Sequence, residues 1–426
     1  MTDQTGSRVA AGGPSGVTEA RREERLPRSL RNIFNIGEFE PAARKRLPRG
    51  VFSYISGSVE TGAAFQANRS DFEDIRLVPR ILAGLAERDQ SRTLFGQTWQ
   101  HPFGISPMGL SALTTYDGDI VLTRSAHKCG IPAVLSATSL ISLERVAREG
   151  HARWFQAYLP GDDARVTGMV DRLAAAEYDT LVITADVPVA GNREDSKRDR
   201  FGAPMKPSLN LALQGVARPG WVMGTMARTL INHGMPHFEN ADVERGPAIV
   251  SRNVVRSFGG RGTFSWQHAA IARDRWKGRL VIKGVLSPQD AQRARELGAD
   301  GIIVSNHGGR QLDYAVSAIA ALPAVKAEAG NMAVMLDGGV RRGSDVLKAI
   351  ALGADFVFVG RPFLFAAAVA GDAGVKHAIS LLAAEIDRDM AMIGAPSLNA
   401  ITPDILADRA LAPRDGLTAQ RNSLLD

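Results

Sequence analysis

Eight short apolar runs recur along the chain, most of them ending in a polar or glycine-containing step, and this rhythm leaves few folds open. The runs are Phe103 to Pro107, Ala133 to Ala137, Trp154 to Leu159 and Thr180 to Asp186, then Leu280 to Val285, Gly301 to Asn306, Ala333 to Gly339 and Phe356 to Gly360. Their length and β-branching suit buried parallel strands. Most intervals between them carry a helix pattern. Before Ala291 to Leu297, for example, Ser287 can cap a helix, Pro288 fits its first turn, Asp290 suits the capping-box position and Gly298 stops it. Eight βα alternations with no GxGxxG after the first strand predict an α/β protein, a closed (β/α)8 TIM barrel rather than a doubly wound sheet.

One interval is too long for a single helix. Between Asp186 and Leu280 lie Pro204, Pro207, Gly215, Pro219, Gly220, Gly234, Pro236 and Gly246, so residues 201–262 read as a long active-site loop or insertion after the fourth strand. Its stretch Trp221 to Met226 is apolar enough to cover the site or to touch a membrane or partner, and packing against the barrel is the favoured expectation. Residues 1–29 lack an apolar core and read as a mobile tail, 30–410 as the barrel, and 411–426 as a second tail.

A length of 426 residues allows two average domains or one barrel with insertions. The single cysteine, Cys129, excludes an internal disulfide framework and a Cys-based metal cluster, and it reads as a packed thiol at a helix end. A net charge of +6 permits an anionic partner, but no nucleic-acid motif accompanies it; anionic cofactors and substrates account for it as well. No run of about 18 continuous apolar residues occurs, which predicts no membrane-spanning helix.

Active sites of such barrels lie at the carboxyl ends of the strands. There the chain places Ser136, Gln156, Tyr158, Thr184, Asp186, Lys283, His307, Asp337 and Arg361. After the sixth run comes Ser305 to Asp313, which reads SNHGGRQLD. Histidine titrates near neutrality, arginine offers a planar fork for a carboxylate, and the glycines let a ligand approach the backbone. A base beside a carboxylate clamp suggests proton or hydride removal from the α-carbon of a small acid. A lone His-x-x-Arg is more often a surface loop, so the rest of the chain decides. After the seventh run stand Asp337, Gly338, Gly339 and Arg341, and after the eighth Gly360 and Arg361. Barrels commonly bind phosphate at these two loops. Lys283, inside a Val/Ile strand, suits either a Schiff base, as in a barrel aldolase, or a cation beside an electron-rich cofactor; spacing does not separate the two.

From about Phe34 to Ala407 the chain resembles the FMN-dependent α-hydroxy-acid oxidase and dehydrogenase family, whose members include glycolate oxidase, L-lactate dehydrogenase, lactate monooxygenase and mandelate dehydrogenase. Ser305 to Asp313 and Asp337 to Gly343 carry the resemblance. It implies oxidation of an (S)-2-hydroxy acid to a 2-oxo acid with FMN as cofactor. His307 would be the base and Asp186 its orienting partner. Arg310 would hold the substrate carboxylate, helped by Arg193 and the Tyr54 phenol, and Tyr158 would bond the substrate hydroxyl. Lys283 would sit at the N1 and O2 edge of the flavin, and Pro107, Met108 and Gly109 at its other edge. Ser136, Gln156, Thr184 and Ser305 would line the ring or ribityl chain, and Asp337, Gly338, Gly339, Arg341, Gly360 and Arg361 would hold ribityl and phosphate.

Three departures qualify the resemblance. Ser56-Gly57-Ser58 replaces the paired glycines common after the Tyr54 segment, and Leu135 to Leu140 lacks the tryptophan that narrows the pocket of glycolate oxidase. Gly109 stands where typical oxidases have alanine. The first bears on how Tyr54 is placed, and the second favours lactate or a bulkier 2-hydroxy acid. Gly109 favours a dehydrogenase, passing electrons to a quinone, a redox protein or another acceptor, over an oxygen-using oxidase or a lactate monooxygenase. Relatives in this family are often tetramers, so a homotetramer is expected, in the cytoplasm; a peripheral contact at the inner membrane face stays open as an alternative for 201–262. A Schiff-base aldolase built on Lys283 and a non-catalytic flavin-binding protein are the readings from other classes.

Overall fold

A computed structural model describes residues 26–202, 205, 208–253 and 260–407. The expected tails lie outside these residues, apart from positions 26–29, as do Pro204 and Pro207 of the long interval. Eight parallel strands form the centre: β1 Phe103–Ile105, β2 Val134–Ser136, β3 Trp154–Ala157, β4 Thr180–Thr184, β5 Arg279–Val285, β6 Gly301–Val304, β7 Ala333–Asp337 and β8 Phe356–Val359. Each pairs in parallel with the next from β2 to β8, and β8 pairs with β1. A bridge between Ile105 and Ala133, with the Ile105 amide donating to Pro132 O at 2.9 Å, closes the ring between β1 and β2. This is the expected (β/α)8 barrel, and all eight apolar runs supply its strands.

The alternation within each strand builds two cores. Val134, Trp154, Val182, Val281, Ile303, Met335, Phe356 and Phe358 fill the barrel interior. Their neighbours Phe155, Leu181, Ile183, Leu280, Ile282, Ile302, Val304, Leu336 and Val357 face the surrounding helices. A short antiparallel hairpin, Arg92–Leu94 with Gln97–Trp99, sets Leu94, Phe95 and Trp99 against the interior cluster. Phe95 lies beside Gly301, the first residue of β6, so the hairpin plugs the end from which the strands start. The opposite, carboxyl end is left for chemistry.

Local signals work as the sequence implies. Ser287 Oγ accepts from the Asp290 amide at 3.3 Å, Pro288 opens the helix Pro288–Glu296, and Gly298 follows it at φ +78°. The last helical stretch, Arg361–Ile393, is long and apolar enough by composition to cross a membrane. It breaks at Ala370 and Gly371, however, and Phe363, Phe365, Ala378, Leu382 and Ile386 are among its core residues, so it packs as part of the barrel's outer layer. Between β4 and β5 the chain carries the helices Glu194–Arg198 and Leu209–Val216. It then runs from Pro219–Trp221 through a π-helical stretch, Val222–Ala227, into Arg228–His233. The apolar stretch Trp221 to Met226 divides its faces. Trp221 Nε1 donates to Leu113 O at 2.7 Å, whereas Met223 is 70% exposed.

Candidate active site

The loop after β6 delivers the base. Ser305 and Asn306 are buried, and His307, Gly308 and Gly309 all take positive φ, at 59°, 64° and 71°. A Cβ on Gly309 would come within 2.5 Å of the Phe65 backbone, and one on Gly308 within 2.7 Å of the Arg361 guanidinium. Glycine is required by both the turn and the close approach. His307 has no such freedom and is held in place by contacts: its amide donates to Ser305 Oγ at 3.0 Å and its Nδ1 lies 2.9 Å from Asp186 Oδ1. Burial would raise the Asp186 carboxyl, but His307 and then Lys283 outweigh it and hold the group below the usual carboxylate range. An ionised Asp186 fixes the proton on Nδ1 and leaves the Nε2 lone pair facing the chamber. There Nε2 meets the Tyr158 hydroxyl at 3.5 Å. Burial pushes the Tyr158 phenol up, so it stays a neutral donor.

Three arginines gather on the same side. Arg310 donates to the carbonyls of Tyr54 at 2.7 Å, Ile55 at 3.2 Å and Gly57 at 2.5 Å, so it ties down the end of the helix Arg49–Ser56 that carries Tyr54. Burial, reinforced by Arg193, pushes its guanidinium down to about 9. It remains charged at neutral pH. Arg193 Nη2 donates to Gln311 Oε1 at 3.1 Å, while its buried Nε has no hydrogen-bond partner among the described residues. Arg261, which no sequence motif marks, lies over the Tyr158 ring at 4.1 Å.

Lys283, on β5, donates to Ser305 Oγ at 2.8 Å and pairs with Asp337 Oδ2 at 3.0 Å. Its nitrogen is thus engaged by a hydroxyl and a carboxylate, which does not favour the aldolase reading. Ser106 Oγ also donates to Asp337 at 2.8 Å, and Ser136 Oγ donates to Gln156 Oε1 at 2.9 Å. At the ends of β7 and β8, Gly338, Gly339 and Gly360 line the cavity with Arg341 and Arg361. A Cβ on Gly339 would come within 2.0 Å of Asn68 O. Burial pushes Arg341 down to about 10, and burial with repulsion from Arg310 and Arg341 pushes Arg361 well down. Two buried guanidinium groups short of counter-charge describe an anion site.

Tyr54, Tyr158, Arg193, Arg261, Lys283, His307, Arg310, Asp337, Arg341 and Arg361 line one cavity of about 530 Å³, whereas Asp186 and the expected ring-lining Ser305 lie behind its wall and act through His307 and Lys283. Gln156 Nε2, Thr184 Oγ1 and Arg361 Nη1 are buried in its wall without hydrogen-bond partners among the described residues. Orphaned polar atoms along one side and an anion site at the end fit a ligand with a hydrogen-bonding ring, a polyol stem and a phosphate. FMN has that form. Pro107, Met108, Gly109 and Gly338 also line the cavity. A Cβ on Gly109 would come within 2.1 Å of Thr138 Oγ1, so the glycine and its neighbour Thr138 shape this wall together. Sequence reasoning missed Asn68, Arg69, Ser106, Thr138, Phe201, Phe238 and Arg261, all of which face the cavity. Ser106 stood beside Pro107, and Thr138 stood inside the segment Leu135 to Leu140.

A model of the family described as FMN-dependent dehydrogenase matches residues 43–408. The chain is 38% identical over 396 residues to the (S)-mandelate dehydrogenase of Pseudomonas putida, spanning 91% of this chain and 98% of that relative. It is 37% identical over 376 residues to the L-lactate dehydrogenase of Ectopseudomonas mendocina, spanning 87% and 97%. Among solved structures it is similar to that of the monotopic membrane protein (S)-mandelate dehydrogenase, with a TM-score of 0.80 at 37% identity over 88% of this chain and 99% of that one. A mandelate oxidase with bound (S)-2-phenylpropionate gives 0.72 at 32% identity over 88% and 98%. Matched over most of its length, with a cavity shaped for the cofactor, the chain belongs to the FMN-dependent dehydrogenase family.

Proposed function

We propose that the protein oxidises (S)-2-hydroxy acids to 2-oxo acids with FMN and passes the electrons to a quinone or another acceptor rather than to oxygen. The observation that carries this reading is the His307–Asp186 pair, with Nε2 facing Tyr158 beside Arg193 and Arg310. Arg193 and Arg310, with Tyr54, anchor the substrate carboxylate. This places the hydroxyl and α-carbon against Tyr158 and His307. His307 Nε2 takes a proton from the substrate, and Asp186 stabilises the imidazolium that results. Bound FMN supplies the two-electron acceptor. Lys283 holds a positive charge at the cofactor wall, and Arg341 and Arg361 hold the phosphate. Leu110, Val189, Phe201 and Phe238 line the substrate end, which supports a side chain larger than glycolate's. Gly109 and the dehydrogenases among the named relatives support a non-oxygen acceptor.

The test is to record the visible spectrum of the purified protein and add L-lactate, L-mandelate and glycolate without oxygen. A bound flavin that bleaches with L-lactate or L-mandelate faster than with glycolate, and recolours slowly in air, is the expected result. A protein that carries no flavin and takes up none from added FMN sinks the proposal.

A second observation supports a peripheral membrane contact. Leu209, Val216, Met223 and Ile231 of the segment after β4 are all at least 70% exposed, apolar side chains of a kind that seat at a lipid interface. The solved (S)-mandelate dehydrogenase is described as monotopic. Wild-type protein is expected to pellet with phosphatidylglycerol vesicles. The double variant Met223→Asp, Ile231→Asp should stay in the supernatant and still bleach with substrate. Wild-type protein that fails to pellet overturns the contact.

A further inference from the structure

His307 takes a backbone angle, φ +59°, that a non-glycine residue keeps only under outside constraint. The contacts to Ser305 and Asp186 hold its amide and its ring. A buried amide holds the turn around it. Asn306 accepts at Oδ1 from the Gly309 amide at 3.1 Å and donates from Nδ2 to Val316 O at 3.2 Å. The same two atoms pair with Asn68, a buried residue of the helix Ala63–Glu73. Asn68 Nδ2 donates to Asn306 Oδ1 at 2.8 Å, and Asn306 Nδ2 donates to Asn68 Oδ1 at 2.9 Å. Both hydrogens and both lone pairs of the Asn306 amide are thereby used. The helix itself is anchored at two loops. At its start Asp313 accepts from the amides of Thr61 at 2.9 Å and Ala64 at 3.1 Å, and the Phe65 backbone packs on Gly309. Further along, Asn68 O packs on Gly339, and Arg69 donates to Gly339 O and pairs with Asp345 at 2.7 Å. The helix thus braces the base loop against the glycines of the phosphate end, and Asn68 is the side chain that reaches the residue next to the base.

We propose that Asn68 is a positioning residue for the reaction: its amide, paired with that of Asn306, sets the turn that aims His307 Nε2 at the substrate. This rests on the reading of the protein as a 2-hydroxy-acid dehydrogenase with His307 as its base. Asn68 takes no proton and acts through the backbone of residues 306 and 307. Tyr54, Arg193 and Arg310 still anchor the carboxylate without it. Its loss is therefore felt in the rate at saturation and not in the affinity for the acid.

The experiment uses full-length, FMN-loaded protein without oxygen, with L-lactate, L-mandelate and glycolate as probes. Asn68→Leu removes the amide and keeps its branched outline. Asn306 retains Gly309 and Val316 as partners, so the barrel should still fold. FMN affinity, read from quenching of flavin fluorescence with no acid present, should change by less than about tenfold, the range of one neutral hydrogen bond. With FMN and acid both saturating, bleaching should slow about 10- to 100-fold, the loss expected of a base displaced by about 1 Å. The acid concentration that gives half the maximal rate should stay within about twofold of wild type. In Asn68→Asp one oxygen can accept from Asn306 Nδ2 while the other faces Asn306 Oδ1, so both bonds return only with the carboxyl protonated. Its bleaching rate relative to wild type should therefore rise as pH falls. An Asn68→Leu protein that bleaches at the wild-type rate once loaded overturns the inference and leaves the oxidation reading intact. So does a loss that lies wholly in the half-saturating acid concentration, since Asn68 would then support substrate binding and not the base. Should Asn68→Leu take up no flavin, Asn68→Asp decides: the wild-type rate at every pH, or a loss that pH does not change, overturns the inference. If none of the three acids bleaches the wild-type protein, the oxidation reading fails and this inference falls with it.

Discussion

In His307→Gln the flavin should stay bound while its anaerobic bleaching by a 2-hydroxy acid slows about 10³- to 10⁴-fold, the upper range for loss of a positioned general base. The expectation rests on three features of the loop after β6. Nδ1 is committed to Asp186, Nε2 faces the chamber, and the backbone at φ +59° aims the ring. Glutamine can still donate an amide N–H to Asp186, so that carboxylate is not left buried and alone, but it offers no basic nitrogen. The positive φ is a separate source of loss. His307→Asn, a residue that tolerates this backbone region, distinguishes the two. If the cause is the missing base, both variants are slow and both keep the flavin spectrum. Turnover retained in either removes His307 from the role. Acid should act through Asp186 instead. Its folded-state value lies below the ordinary carboxylate value of about 3.9, so its contribution to stability is present above that value and is lost as pH falls through the lower folded one.

The parts of the molecule that were legible in the sequence are those set by local composition. A strand buried on both faces must be a continuous apolar run, so β4 (Thr180–Thr184) and β6 (Gly301–Val304) announce themselves, and the strand-end rule then points to Thr184, Lys283 and His307. The loops after β7 and β8 were legible because glycine and arginine together have few other uses at that position. What stayed hidden is set by distance in the chain. Arg310 reads as a carboxylate fork, but its hold on the carbonyls of Tyr54, Ile55 and Gly57 joins segments more than 250 residues apart. The same contacts, with the Val59 amide donating to Gly309 O at 3.0 Å, show how the Tyr54 segment is placed without paired glycines after it. Thr138 matters because Gly109 lacks a Cβ, and no pattern in either segment encodes that fit. Arg261 sits in a stretch with neither strand nor helix periodicity. Nor does any composition signal separate the π-helical turns at Val222–Ala227 from the α-helix that follows them.

Lys283→Met should damage the protein twice, and the two losses can be separated. Lys283 and Asp337 are both buried and lie 3.0 Å apart, with Ser305 bonded to each and Ser106 to Asp337. Removing the ammonium leaves a buried carboxylate with hydroxyl donors but without its paired counter-charge. Breaking one side of such a pair costs about 3–5 kcal/mol, or roughly 3–6 °C in the melting temperature of a chain this size. Adding Asp337→Asn removes the stranded charge while keeping shape and hydrogen-bonding capacity, so most of that stability should return. Bleaching should not return with it. If the lysine supplies positive charge where negative charge develops on reduction, both variants should stay about 100- to 1000-fold slow even when saturated with FMN. A double variant that regains stability and bleaching together would make Lys283 a structural partner of Asp337 and nothing more. Recovered folding without recovered bleaching separates the two roles once the single variant Asp337→Asn, which keeps the lysine, is shown to bleach at near the wild-type rate, because the deficit left in the double variant is then the missing charge at the cofactor wall.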